Sequence, residues 1–85
     1  MAEFDVTLQA TEHGDVRLVL PFDPNEQWGR RRGHYVRGTL NGITFEGAVE
    51  DLSGVAFVAV SKELRSQAEA AVGDLVHVVL EPKDP

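Results

Sequence analysis

Cysteine is absent from this sequence of 85 residues, and so is any apolar run long enough to cross a membrane. Without cysteine, disulfide scaffolds and thiolate metal sites are excluded. A membrane-spanning helix needs roughly 20 mostly apolar residues, and the first five residues do not have the pattern of a signal peptide. We therefore expect a cytoplasmic protein that does not associate with membranes.

Composition and length indicate an ordinary globular chain. Apolar residues make up 42% of the sequence and charged residues 26%, both typical of folded proteins. A chain of this length forms one domain, so residues 1–85 are predicted to fold as a single unit. The net charge of −6 argues against a protein that coats nucleic acid with a uniformly basic surface.

Acidic residues are missing from one window of the chain, Gln27 to Phe45. The window holds four of the eight basic residues: Arg30, Arg31, Arg32 and Arg37. All 14 carboxylates lie elsewhere, so the window carries +4 and the remainder −10. Such an asymmetry can steer anions towards one region, and it can also arise from arginines that form intramolecular pairs on a soluble surface.

The first part of the chain has the period of β-strands. Residues 4–10 alternate apolar and polar side chains, as in a strand with one buried face. Gly14 and Asp15 are turn formers, and the alternation resumes in residues 16–20. These two segments are predicted to form a hairpin that ends at Pro21.

Residues 22–33 show no period. Asp23 could be the N-cap of a helical turn that ends at Trp28, with Pro24 at its first position. The alternative is a long loop, and long loops in small domains are often functional.

The best-specified segment is the hairpin around Asn41 and Gly42. Both residues tolerate the positive φ of a type I′ turn. A two-residue turn there predicts the inward pairs Leu40–Ile43, Gly38–Phe45 and Val36–Gly47, with Gly38 leaving room for the Phe45 ring. It also predicts the outward pairs Arg37–Glu46 and Thr39–Thr44.

The last third of the chain is predicted to hold two apolar strands around a helix. Residues 52–54 form a turn, and the following segment, residues 55–60, is apolar on both faces, as in a strand buried on two sides. Ser61 is expected to cap a helix over residues 62–71 whose apolar stripe is Leu64, Ala68, Ala71 and Val72. Gly73 should end that helix, residues 75–81 form the last strand, and residues 82–85 form a tail.

These elements predict a mainly β fold, a small β-barrel of about six strands with one short helix. Closing the sheet removes its edges, which so short a chain has few other means to cover.

From Val16 onward the order of elements resembles a bacterial family of small uncharacterised domains. The segments that carry the resemblance are Leu20-Pro21, the Arg/Gly-rich stretch, Val36 to Phe45, Val58 to Arg65, and Gly73 to Val78. The resemblance implies a double-split β-barrel similar to that of AbrB-like and MazE-like regulators, in a domain often found next to a YdeI-type bacteriocin-protection segment. It implies no catalytic residues.

Catalytic and metal-binding patterns are not evident. His13, His34 and His77 lie in different elements and lack the spacing of metal ligands. Glu50 and Asp51 are adjacent, but they precede a turn, where acidic residues are common. We therefore expect a protein that is not an enzyme and that uses neither a metal nor a cofactor.

The stretch from Trp28 to Tyr35 is the candidate binding site. Arginine forks hold phosphate or carboxylate oxygens, and the two aromatic rings could stack on a ligand. The predicted ligand-binding residues are therefore Trp28, Arg30, Arg31, Arg32 and Tyr35. Alternatively, Trp28 closes one end of the barrel and the arginines only solvate a loop.

Three further basic residues are expected to have simpler roles. Arg37 is assigned as a structural partner of Glu46. Lys62 and Arg65 lie on the polar side of the predicted helix, where they either remain at the surface or extend the basic face.

Two functions follow from these predictions. The first is a binding module, monomer or homodimer, whose arginines take an anionic small molecule or an acidic protein segment. The second is an AbrB-like dimeric regulator or antitoxin-type protein that binds DNA. Because a duplex carries about one charge per 1.7 Å and the rest of the chain would repel it, the binding module is preferred.

Overall fold

The computed structural model describes residues 2–83, and within them it contains seven strands and two short helices. The elements are β1 (Ala2–Thr7), β2 (Gln9–Ala10), β3 (Val16–Val19), α1 (Pro24–Trp28), β4 (His34–Leu40), β5 (Ile43–Leu52), β6 (Val55–Ala59), α2 (Lys62–Ala68) and β7 (Leu75–Lys83). The predicted mainly β fold is confirmed. The structure has one strand more than predicted because the first predicted strand divides into β1 and β2. It has one helix more because residues 22–33 contain the helical turn α1, which was one of the two predicted alternatives.

The strands form one curled sheet in the order β1-β7-β4-β5-β6-β3-β2. Its two edges, β1 and β2, are consecutive in the chain and meet at Leu8, so the sheet curls until the edges are joined by one residue. Leu8 is 1% exposed; its N–H donates to Asp74 O (3.0 Å) and its carbonyl accepts from Gly73 N (2.9 Å). The loop before β7 thus fixes the bend.

The predicted pairing of the first strand is wrong for most of its length. Only β2 pairs with β3, whereas β1 pairs with β7 from Ala2–Leu80 to Thr7–Leu75. The longer ladder with β7 places Phe4 and Val6 beside the apolar residues of a strand that is distant in sequence, which alternation within the first strand could not indicate.

The hairpin between β4 and β5 has the predicted register. Asn41 and Gly42 have φ of 50° and 85°, and the pairs run from Leu40–Ile43 to His34–Val49. β4 also pairs with β7, from Leu40–Val78 to Tyr35–Lys83. The β4 strand is therefore held on both sides.

The core lies on one face of the sheet, called here the inner face. Its fully buried side chains include Leu18, Val36, Leu40, Val58, Val78 and Leu80. The prediction that residues 55–60 are buried on both faces is wrong: Val58 and Val60 are buried, while Val55 and Ala59 are exposed. Although β6 lies inside the sheet, its outer face is left open.

Both helices begin at the predicted caps. Asp23 accepts a hydrogen bond from Asn25 N (2.9 Å), and Ser61 Oγ accepts one from Leu64 N (3.1 Å). Neither helix is long enough to span a bilayer within the part of the chain that the structure describes.

The predicted end of the second helix is wrong by three residues. It ends at Ala68 because Glu69 adopts a left-handed conformation (φ 52°), which turns Ala70 into the core in place of Ala71 and Val72. Gly73, the expected stop, has φ of 93° but belongs to the following turn. The predicted tail also differs, because Pro82 and Lys83 belong to β7, while residues 84–85 lie outside the described residues.

Candidate functional site

The three consecutive arginines lie on a short exposed connection, residues 29–33, which we call the arginine loop. Gly29 ends α1 with a φ of 91°, and β4 begins at His34. Arg30, Arg31 and Arg32 are all exposed. The side chains of Arg30 and Arg32 make no hydrogen bond or ion pair within residues 2–83, whereas Arg31 has an interaction of its own in the protein.

One side chain of α1 fastens this loop. Asn25 Oδ1 lies 2.8 Å from His34 Nε2 and accepts a longer hydrogen bond, 3.5 Å, from Arg31 N. An amide oxygen only accepts, so Nε2 of His34 donates. His34 is 8% exposed, and its buried ring gives the end of the loop a fixed position.

Trp28 faces the core rather than the solvent side of the loop. Its ring packs edge-on against Phe22, with centroids 5.2 Å apart, and lies 6.2 Å from the His34 ring. Phe22 in turn contacts Phe4 of β1 at 5.8 Å. This is the position expected of an aromatic plug at one end of the curled sheet, and ligand binding by Trp28 stays a prediction.

Tyr35 lies on the other face of the sheet. Neighbouring residues of a strand point to opposite faces, and because His34 is buried on the inner face, Tyr35 projects outward and is 45% exposed. Trp28 and Tyr35 therefore do not flank one ligand position. The structure brings the three arginines together but does not join the two aromatic rings to them as a pair.

The predicted cross-strand pair of Arg37 and Glu46 is confirmed, but Arg37 forms its ion pair with another residue. The two residues are opposite each other in the ladder, but Arg37 Nε binds Glu81 Oε1 of β7 at 2.6 Å. Glu46 binds Lys83 Nζ at 2.6 Å, and the hydrogen bond and charge of Lys83, with a smaller contribution from Arg37, lower the pKa of Glu46. Both new partners lie on β7: Glu81 is the last residue of the predicted strand, and Lys83 belongs to its extension.

His77 belongs to a second charged group, on the outer face of β1 and β7. Its Nδ1 lies 2.8 Å from Asp5 Oδ1 and its Nε2 lies 2.8 Å from Glu3 Oε2. These two hydrogen bonds raise the pKa of His77, and the neighbouring negative charges add to that effect. Among residues 2–83 no group of three or more acidic or histidine side chains is placed to hold a metal ion.

Sequence reasoning missed Asn25, the residue that fastens the arginine loop. As the second residue of a predicted helical turn, it gave no signal beyond its polarity. Its contact with a histidine nine residues later depends on how α1 and β4 are placed by the core.

No curated protein matches the chain. The similarity to AbrB-like and MazE-like barrels and the association with a YdeI-type segment stay predictions. A family does match, from the middle of β1 to the buried part of β7: residues 4–80 fit the family described as "Domain of unknown function (DUF1905)", and the chain belongs to that family.

Proposed function

We propose that this protein is a non-enzymatic binding module whose arginine loop captures an anionic partner, an acidic protein segment in preference to a small molecule. The observation that carries the proposal is the row of three exposed arginines on a loop fastened to α1, two of them with no ion pair in residues 2–83. Exposed guanidinium groups bind carboxylates through paired hydrogen bonds.

The shape of the loop favours an extended partner. The two aromatic rings do not form the sides of a pocket around the arginines, since Trp28 packs on the core and Tyr35 faces outward. An exposed surface of this kind suits a chain of carboxylates better than one small molecule, which needs an enclosing cleft.

The charge of the remaining chain favours the same partner over DNA. Outside residues 27–45 the balance is −10, which repels a duplex that extends beyond the loop. A short acidic segment need only contact the three arginines, and the surrounding field steers it towards them.

The position of the paired carboxylates supports a non-enzymatic role. Glu50 and Asp51 are adjacent in β5 and line two separate depressions of the surface. A pair that works as acid and base must face one substrate, and alternation along the strand directs these two side chains to opposite faces.

The test compares two triple variants with the same change of net charge, from −6 to −9. Arg30→Gln, Arg31→Gln, Arg32→Gln removes the loop's charges, and Arg37→Gln, Lys83→Gln, Gln67→Glu makes the same charge change at exposed or half-buried positions elsewhere. Binding of a fluorescent octaglutamate peptide is measured at several salt concentrations. We expect the loop variant to fold normally and to bind at least about tenfold more weakly, because each charged hydrogen bond contributes about 1.5–3 kcal/mol, while the control keeps most of its affinity.

Three outcomes contradict the proposal. If the loop variant unfolds, the arginines are internal counter-ions. If both variants lose affinity equally, only net charge matters. If the parent instead binds a preferred DNA duplex, with a salt slope of about −0.9 per phosphate contacted, and the loop variant loses it, the regulator function is correct.

A further inference from the structure

A second group of basic side chains surrounds a depression on the outer face of the sheet, and the sequence linked only two of them, Lys62 and Arg65. We call this depression the basic pocket. Arg17 of β3 and Lys62 and Arg65 of α2 line it, together with Phe57 and Leu52. Its volume is about 540 Å³, within the range of small-molecule sites.

Two of these side chains have donors that the protein does not satisfy. Nε of Arg17 and Nε of Arg65 are buried and have no hydrogen-bond partner. Buried polar groups in native structures nearly always have partners. Two buried, unpaired N–H donors in the lining of one depression point to an acceptor that binds there.

The guanidinium group of Arg17 is held in place by an aromatic ring. Its guanidinium carbon lies 4.9 Å from the centroid of the Phe57 ring, a cation–π distance. Stacking on Phe57 restrains the planar group without using its N–H donors, which stay available for a ligand.

The charges of the lining favour a monoanion. Arg17, Lys62 and Arg65 form no ion pair within residues 2–83, but Asp15 and Glu50 also line the depression. Three cations and two carboxylates leave a single positive charge, which matches a carboxylate better than a dianionic phosphate.

The apolar part of the lining indicates what the carboxylate is attached to. Phe57 and Ala59 of β6 line the depression, and so does Leu52, which is 63% exposed. An apolar group of the ligand that covers Leu52 and Phe57 removes their apolar surface from water, which favours binding.

We propose that the basic pocket binds a carboxylate joined directly to an apolar group, with the carboxylate at Arg17 and Arg65 and the apolar group against Phe57 and Leu52. A free organic acid and the C-terminal carboxylate of a peptide share this chemistry. The pocket has no residue in common with the arginine loop, so either proposal can fail without the other.

The experiment follows amide and arginine Nε–H signals by NMR while phenylacetate is added to the folded protein. We expect shifts at Arg17, Phe57 and Arg65, and at least about tenfold weaker binding for Arg65→Gln and for neutral phenylacetamide, because the charged hydrogen bonds are lost. Lys62→Gln, at an exposed position of the lining, is a second variant in case Arg65→Gln fails to fold, and it should also weaken phenylacetate binding. The triple glutamine variant of the arginine loop should bind phenylacetate as the parent does.

A second pair of probes identifies the source of the carboxylate. Acetyl-Ala-Phe with a free C-terminus should bind more tightly than phenylacetate if the partner is a peptide end, and more weakly if it is a small acid. The proposal is overturned if phenylacetate causes no shift at these residues, if phenylacetamide binds equally well, or if inorganic phosphate produces the same shifts with equal affinity, which would indicate a nonspecific counter-ion site.

Discussion

Replacing Gly38 by alanine should be one of the most destabilising small changes in this protein. A Cβ at this position would lie 1.7 Å from the carbonyl oxygen of Val79, 2.8 Å from its carbonyl carbon and 3.0 Å from Cα of Leu80. All three atoms belong to the backbone of β7, so no side-chain rotation relieves the clash. The added methyl group must therefore push β4 and β7 apart.

The cost is estimated from the ladder that has to move. β4 and β7 pair over six residues, and overpacking in a well-packed interior costs about 1–3 kcal/mol and more where backbone must shift. Alanine also lowers the conformational entropy of the unfolded chain relative to glycine, which stabilises the folded state by only about 0.4–1 kcal/mol. Since the clash is with backbone atoms, we place the gross cost just above the overpacking range, at about 3–4 kcal/mol. The net loss is then about 3 kcal/mol, against a total stability of about 4–13 kcal/mol for a chain of this length.

Urea unfolding followed by the fluorescence of Trp28 measures this loss directly, because Trp28 is the only tryptophan and packs on the core. With an m-value of about 1 kcal/mol per molar urea, the midpoint should fall by about 3 M. Gly33→Ala is the control, since its Cβ meets no atom within 4 Å. Gly47→Ala should be intermediate, because its Cβ lies 3.0 Å from a movable methyl group of Val58. If Gly38→Ala and Gly33→Ala unfold within about 0.5 kcal/mol of each other, the close approach of β4 and β7 is not real.

Two further predictions concern the hairpin and a titrating side chain. Asn41→Val combined with Gly42→Val should lower the free energy of unfolding by about 1–3 kcal/mol, because β-branched residues resist positive φ; an unchanged midpoint in denaturant would show that the turn is absent. His77 has a raised pKa in the folded state, so its stabilising effect is complete below the unfolded pKa of about 6.5 and is lost as pH rises through the folded value. The free energy of unfolding should therefore decline over that interval in the parent and in the control His13→Gln, and His77→Gln should remove this contribution; an identical pH profile in His77→Gln would refute it.

Local signals in the sequence predicted local structure well. The turn at Asn41 and Gly42 sets the register of β4 and β5, because a two-residue turn leaves only one pairing. The caps at Asp23 and Ser61 were equally local. What failed depended on distant partners: the bend at Leu8 is held by the loop before β7, and the pattern of residues 4–10 is the same whether they pair with β3 or with β7.

Glycines show the same division between local and distant causes. The sequence explained the glycine at position 38 by the room that the Phe45 ring of β5 needs, and that reasoning used only the hairpin. The structure shows that the closest approach to Gly38 is made by the backbone of β7, a strand outside the hairpin. A pairwise register cannot reveal it, since β7 begins more than 30 residues later in the chain.

The two candidate sites differ in the same way. The arginine loop is contiguous, so a charge count along the chain finds it, but the count cannot tell that Trp28 turns inward while Tyr35 turns outward. The outward direction of Tyr35 follows from strand alternation once His34 is known to be buried. Trp28 belongs to α1, and its inward direction is seen only in its packing on Phe22. The basic pocket is assembled by topology instead: the order β6-β3 places Arg17 beside Phe57, about 40 residues away in the chain, and α2 adds Arg65. Because Arg17 and Arg65 are 48 residues apart in the sequence, only the fold makes their unpaired donors part of one surface.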